Sequence, residues 1–227
     1  MNFTLIEKKQ EAKDVTTFIF EPAEPLTWKA GQYLHYVLHH RPTDDRGSDR
    51  WFTVSSAPYT KRPSITTRFT AEKGSSFKAA LEKLAVGETI EIATVEGDFT
   101  VEDPSLEYVF IAGGIGITPF HSILDEANHG GIKLTVTLLY SNRSSDIAFK
   151  RELDAFAAVN PNLRIVYVTD PERINEDTIK KYVPDIQKPL FYISGPKPMV
   201  ESLAAVIEGL GVAKEHIKLD DFPGYAE

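Results

Sequence analysis

The hydrophobic pattern of the chain changes once, near residue 104, and that change constrains the fold more than any single motif. Before residue 100, apolar and polar residues alternate in short runs broken by turn residues, as in TTFIF (16–20), YLHYVLH (33–39) and TIEIATV (89–95). A period of two puts successive side chains on opposite faces of a half-buried strand, so this half is expected to form antiparallel β structure. One segment departs from it: Phe77, Ala80, Leu81 and Leu84 recur at helical spacing ahead of Gly87, which predicts a helix. After Pro104 the apolar runs become nearly continuous, YVFIAG (108–113), LTVTLLY (134–140), RIVYVT (164–169), LFYIS (190–194) and HIKLD (216–220), with amphipathic helical stretches between them. Strands that are apolar on both faces and spaced by helices predict a parallel sheet covered on both sides. The expected architecture is an N-terminal antiparallel β-barrel with one helix over residues 1–103. A C-terminal α/β parallel-sheet domain of the Rossmann-like kind follows over 104–227, and 227 residues suit two domains of ordinary size.

Composition removes several classes of chemistry. With no cysteine, disulfides, thiolate-bound zinc and cysteine-ligated iron-sulfur clusters are excluded within the chain. The histidines His35, His39, His40, His121, His129 and His216 lack the helical spacing of a metal site, so no metal is expected. A net charge of −8 argues against nucleic-acid binding. No apolar run approaches the roughly 18 residues of a membrane span, and the N-terminal residues lack the pattern of a secretory signal, so no membrane anchor and a cytoplasmic location are expected. The charge is uneven: residues 41–78 carry eight basic and four acidic side chains, a local positive face on which an acidic partner could dock.

Two groups of residues carry ligand chemistry. In RWFTVSS (50–56), a strand would place Arg50, Phe52 and Val54 on one face and Trp51, Thr53 and Ser55 on the other. A guanidinium fork suits a pyrophosphate, an aromatic ring suits a flat heterocycle, and a hydroxyl suits its polar edge. An edge strand with an exposed arginine and a buried aromatic would read the same way. Downstream, Gly74, Ser75 and Ser76 open the expected helix, whose N-terminus favours an anion or simply takes a serine cap. In the second half, YVFIA runs into Gly113-Gly114-Ile115-Gly116-Ile117-Thr118-Pro119 and a helix. Glycines permit close approach of a phosphate, Thr118 suits the helix cap and Pro119 its first turn. A tight strand-to-helix turn wants glycine in any case. Ser141 and Arg143 follow the second strand of this half, and Gly195, Pro196 and Met199 follow the fourth, both at carboxyl ends of expected parallel strands.

Taken in order, these motifs resemble the ferredoxin-NADP reductase superfamily of flavin oxidoreductases. RWFTVSS resembles its Arg-x-Tyr/Phe-Ser/Thr-x-x-Ser flavin signature, Gly31-Gln32-Tyr33 the strand entry before it, and Gly74-Ser75-Ser76-Phe77 its flavin-phosphate turn. Gly-Gly-x-Gly-x-Thr-Pro resembles its nucleotide loop, and Ser194-Gly195-Pro196-Lys197-Pro198-Met199 its turn beside the nicotinamide. The ending, Asp220-Asp221-Phe222-Pro223-Gly224-Tyr225, resembles the family's acidic-x-Phe-x-Gly-Tyr close, with a frayed acidic tail as the plain alternative. The resemblance runs from Gly31 to Tyr225 and implies a bound flavin, FAD in preference to FMN, reduced by NADPH or NADH. It implies that Arg50, Trp51, Phe52, Thr53, Thr66, Thr67, Arg68, Gly74, Ser75 and Ser76 contact the flavin. It further implies that Gly114, Gly116, Thr118, Ser141, Arg143, Gly195, Pro196 and Met199 contact the dinucleotide, and that Phe222 or Tyr225 shields the ring. Thr53, Asp220 and Phe222 are the residues expected at the hydride-transfer centre. Ser141 and Arg143, in place of an acidic selector, lean towards NADPH, with Asp146 close enough to complicate that reading. The implied activity is electron transfer from NAD(P)H through flavin to a separate acceptor such as ferredoxin or flavodoxin. Reduction of a small molecule (free flavin, a ferric chelate or a quinone) and a non-catalytic electron-transfer subunit of a larger complex are the alternatives.

Overall fold

The computed structural model describes residues 1–69 and 74–222. Strands β1 (Asn2–Ala12), β2 (Val15–Pro22), β3 (Tyr33–Val37), β4 (Asp49–Thr53), β5 (Ser64–Arg68) and β6 (Thr89–Glu96) form one antiparallel sheet in the order β4-β3-β6-β1-β2-β5. It curls into a nearly closed barrel because the chain joins the two end strands at one point: the Ser55 N–H donates to the Ser64 carbonyl at 3.0 Å. Phe3, Leu5, Phe18, Phe20, Leu34, Tyr36, Ile65 and Ile90 fill the interior. The amphipathic helix α1 (Ser76–Lys83) seals it with Phe77 and Leu81. Ser75 caps that helix by accepting the Lys78 N–H at 3.2 Å.

The second half is a five-stranded parallel sheet. Strands β7 (Glu107–Gly113), β8 (Thr135–Asn142), β9 (Leu163–Thr169), β10 (Leu190–Pro196) and β11 (Ile217–Phe222) lie in the order β11-β10-β7-β8-β9. Helices α2 (Thr118–His129), α3 (Lys150–Val159), α4 (Glu176–Tyr182) and α5 (Lys197–Gly209) connect them. Alternate residues of β7 serve two cores: Phe110 and Ala112 face α2, while Val109 and Ile111 pack with residues of α4 and α5. Phe110 is fully buried and stacks on Phe120 at 4.6 Å. Phe110→Ala is expected to destabilise the protein by about 3–5 kcal/mol, read as a lowered urea midpoint.

We propose Asp103–Pro104 as the domain boundary; it falls in the link between β6 and β7. The two halves are pinned together along that link and at the β1–β2 hairpin. Phe99 packs on Phe120 at 5.5 Å and Tyr192 at 5.0 Å, and the Tyr192 hydroxyl donates to the Thr100 carbonyl at 2.9 Å. Ala12 and Val15, although barrel residues, belong to the second core. Gly31 sits at φ +97° where a Cβ would run into the Phe99 carbonyl, so this turn demands glycine. Among the described residues no helix is long and apolar enough to cross a membrane.

Candidate functional site

The barrel is open where its end strands β4 and β5 diverge, and α1 bridges that opening. The pleat puts Arg50 and Phe52 on the α1 side of β4. The Arg50 guanidinium lies 5.7 Å from the Phe77 ring centre, and Phe52 packs against Phe77 at 5.8 Å and Tyr36 at 6.0 Å. From β5, the Arg68 carbonyl accepts the Lys78 ammonium at 3.2 Å. Arg46, Arg50, Arg68 and Lys78 thus surround one space. Burial first, then the Arg50, Arg68 and Arg46 charges, push Lys78 down to about 8. Asp14 pairs with Arg68 at 3.2 Å, and Asp44 with Arg46 at 2.8 Å and Arg50 at 3.6 Å.

This lowered ammonium has a stability consequence with a definite sign. Below pH 8 both folded and unfolded chains hold the Lys78 proton and the burial cost is fully felt. Between about 8 and the ordinary 10.5 the folded chain has shed that proton while the unfolded chain keeps it, so stability rises with pH across this window. Urea midpoints at pH 7.5 and 9.5 are expected to rise more in the parent protein than in Lys78→Met; equal slopes would refute the assignment.

Several of the expected flavin contacts also make contacts within the protein. Trp51 points away from Arg50, is 54% exposed and stacks on His35 at 4.0 Å, because alternate residues of β4 face opposite ways. Ser55 does not continue the strand. Its hydroxyl joins Ser64 and Thr66, each at 2.7 Å, and Thr66 in turn meets Thr17 at 2.7 Å. Thr66 is therefore buried in a chain of hydroxyls, and Thr67 is buried beside it. The basic excess of residues 41–78 is partly neutralised: Arg62 pairs with Glu21 and Arg68 with Asp14 from outside the segment, while Arg46 and Arg50 share Asp44 within it. The positive docking face expected from charge counting is correspondingly reduced. Gly74 is exposed ahead of the Ser75 cap.

The second half of the site lies at the carboxyl ends of β7 and β10. These strands are neighbours, but the chain leaves β7 towards β8 on one side and leaves β10 towards β11 on the other, which opens a crevice between their loops. Three glycines hold the loops close. A Cβ on Gly116 would fall on the Ser194 carbonyl and within 2.7 Å of the Gly195 nitrogen. One on Gly195 would meet the Met199 methyl at 2.6 Å, and one on Gly113 would strike the Met199 thioether. Gly114 differs: at φ +53° it has nothing within 4 Å, so it is the glycine that faces open space. Thr118, expected as a cap, instead donates its hydroxyl to the Ile115 carbonyl at 3.1 Å. The segment Gly114–Ile117 forms a 3-10 turn, so α2 begins from an already helical residue and has no orphan turn for a side chain to cap. Pro119 does stand in the first turn. Pro196 precedes α5.

Ser141 pairs with Gly113 across β8 and β7, and Arg143 is exposed one residue beyond the strand. Asp146 is removed from this group, because its carboxylate accepts the Lys13 backbone N–H at 2.7 Å. On the other side, Asp220 lies opposite Ser194, whose hydroxyl donates to it at 2.8 Å. Burial dominates and raises the Asp220 carboxyl above its ordinary value, with Asp221 adding to the shift and the Ser194 bond opposing it. Tyr33 connects this pair to the barrel. It is the cross-strand partner of Thr53, and burial with the charges of Glu96, Asp220 and Asp98 raises its phenol. Phe222 pairs with Pro196 as the last described residue, and Tyr225 lies outside the described residues.

Some site features escape sequence reasoning. His121, on α2, meets the Ser55 carbonyl at 2.7 Å and stacks on Phe149 at 3.9 Å, tying the strand that carries Thr53 to the loop after β8. Asn142 is 7% exposed, and its amide nitrogen has no partner among the described residues. Asp44 reaches the N-terminus of α1. No spacing rule marks any of these, since each depends on segments far apart in the chain.

Known proteins share this fold. Residues 110–205 match the model of the oxidoreductase NAD-binding domain family. A flavohemoprotein of Pseudomonas putida is 26% identical over 97% of this chain and 58% of its own length, so the chain spans less than two thirds of that relative. The flavohem-like FAD/NAD-binding domain of nitric oxide dioxygenase from Vibrio cholerae superposes with a TM-score of 0.85 at 22% identity, covering 98% of each chain. Ferredoxin-NADP+ reductase from Plasmodium falciparum superposes at 0.83 with 17% identity, covering 97% of this chain and 95% of its own. The family match thus falls on the parallel-sheet half, from β7 into α5. The chain as a whole has the two-domain fold of ferredoxin-NADP reductase-like proteins.

Proposed function

We propose that the chain is a flavin-dependent NAD(P)H oxidoreductase that binds FAD across the barrel opening and a nicotinamide dinucleotide in the β7–β10 crevice. The observation that carries this reading is the Arg50 guanidinium: its Nη2 is buried without a hydrogen-bond partner among the described residues, inside a cluster of cations that depresses Lys78. Such a group fits a diphosphate, and the half-buried Phe52 beside it fits a flat ring. When bound, FAD would accept a hydride from the nicotinamide and release the electrons to an acceptor.

The chain's own residues supply binding and orientation. Arg50, Arg68, Lys78, Ser75 and Ser76 surround the phosphate position, and Phe52 covers one face of the ring. Thr53 offers a hydroxyl to its polar edge. The Ser194–Asp220 pair lines the nicotinamide side, where a buried carboxyl with a raised affinity for protons can hold one without adding a full charge. Gly114 leaves room for phosphate, while Gly116, Gly195 and Met199 hold the crevice in shape. Ser141 and Arg143 favour the 2′-phosphate of NADPH, now that Asp146 is engaged by Lys13. Phe222 stands at the mouth of the crevice.

The acceptor is proposed to be a separate redox protein such as ferredoxin or flavodoxin. A second reading, reduction of a small molecule such as free flavin, is favoured by the Asp44 carboxylate at the phosphate position. Anaerobic titration of flavin-loaded protein with NADPH and NADH tests the main reading: bleaching of flavin absorbance is expected, at lower NADPH than NADH. Failure to bind flavin, or binding without bleaching by either nucleotide, would overturn it. Steady-state assays with ferredoxin, flavodoxin and free flavin then separate the acceptors.

A further inference from the structure

We propose that Asp44 is an internal competitor for the flavin phosphate, so that the protein holds its flavin in exchangeable form. This rests on the flavin reading above. The Asp44 Oδ2 accepts the Ser76 N–H, the first of α1, at 2.9 Å, and the Asp44 N–H donates back to the Ser76 hydroxyl at 3.0 Å. Arg46 donates to the same carboxylate from Nε at 3.2 Å, from Nη2 at 2.8 Å and from its backbone N–H at 3.1 Å. Arg50 Nη2 stands 3.6 Å from Oδ1, too far for a hydrogen bond, and is the buried donor left without one.

A carboxylate here makes the contacts that a phosphate oxygen would make: a helix N-terminal N–H and guanidinium donors. It satisfies them incompletely. Its Ser76 and Arg46 bonds hold it well below the usual carboxylate range and so favour its anionic form. A phosphate entering the same donors would meet that charge at close range, and the two cannot share the N-terminus of α1. Flavin binding must therefore displace Asp44. The segment that carries it can yield without disturbing a core. Arg41, Pro42, Thr43, Asp45 and Arg46 are all exposed, and a cavity of about 560 Å³ lined by His39, His40, Arg41, Thr43 and Ser48 adjoins them. Part of the gross phosphate affinity is spent on that displacement, which weakens retention of FAD and FMN but leaves unphosphorylated riboflavin untouched.

The test measures dissociation constants of FAD, FMN and riboflavin by fluorescence quenching for the parent protein, Asp44→Asn and Asp44→Ala. FAD and FMN are expected to bind about tenfold tighter to both variants and to leave more slowly, while riboflavin affinity stays the same. Unchanged or weaker FAD binding in both variants would overturn the proposal, as would equal tightening of all three flavins. Asp44→Asn preserves the shape of the side chain, and its melting temperature reports whether the α1 cap survives. If the parent protein binds no flavin of any kind, the flavin reading itself falls; if it binds FAD and the variants gain nothing, only the competition is refuted.

Discussion

Gly116→Ala is expected to abolish nucleotide-dependent flavin reduction while leaving flavin binding nearly intact. The added Cβ would collide with the Ser194 carbonyl and the Gly195 nitrogen, both backbone atoms that no rotamer change can move aside. The loops after β7 and β10 must separate, and the cost of forcing extra volume into such a contact is about 1–3 kcal/mol of stability. The functional effect is larger. Both loops shape the nicotinamide crevice, and a displacement of order 1 Å in a reacting geometry costs roughly 100-fold in rate. We expect kcat/KM for NADPH to fall at least 100-fold, with flavin affinity unchanged because the barrel opening is built from β4, β5 and α1. Gly114→Ala provides the contrast. It has open space but φ +53°, so it should cost only about 1 kcal/mol of backbone strain. Because Gly114 leaves room for phosphate, its alanine variant should raise KM for NADPH without lowering kcat, so an equal loss of kcat in the two variants would refute the assignment of Gly116 to loop packing.

The second large effect is expected at Arg50. Arg50→Ala removes the guanidinium that faces the opening and should weaken FAD binding by about 2–3 kcal/mol, roughly 30- to 150-fold in Kd. Arg50→Lys should recover only part of this, because a single ammonium cannot reproduce the two-pronged contact. The loss should be much smaller for riboflavin, which isolates the phosphate. It should also be smaller in the Asp44→Ala background if the Arg50 charge offsets the repulsion between Asp44 and the entering phosphate, a coupling that a double-mutant cycle reads directly. Equal loss for FAD and riboflavin would place Arg50 elsewhere in the site.

Much of the architecture was legible from periodicity. The alternating runs became β2, β3 and β6, the continuous apolar runs became β7 to β11, and Phe77 and Leu81 did bury the face of α1. The long first strand, β1, has no such signature, because its NFTLIEKKQEA run is too charged towards its end to read as an apolar strand. The candidate site was legible only as a set of motifs. Linear spacing could propose Arg50 and Phe52 together, since a pleat relates them, but it could not show that Trp51 stacks on His35 or that Thr66 joins a chain of hydroxyls with Ser55 and Thr17. Thr118 failed as a cap for a local reason, the 3-10 turn ahead of it, which glycine-rich loops can form but do not announce.

By itself, then, the sequence determined the two kinds of sheet and the chemistry available to each, because side-chain period and residue type are local properties that act within a few residues. Tertiary structure alone decided which groups share a space. Asp44 stands on the N-terminus of α1, Ser194 faces Asp220, and Gly116 touches the β10 loop, all through contacts between segments 26 to 78 residues apart. Such contacts depend on how strands pair and which loops meet at the switch in sheet order, and neither is written in the spacing of residues along the chain.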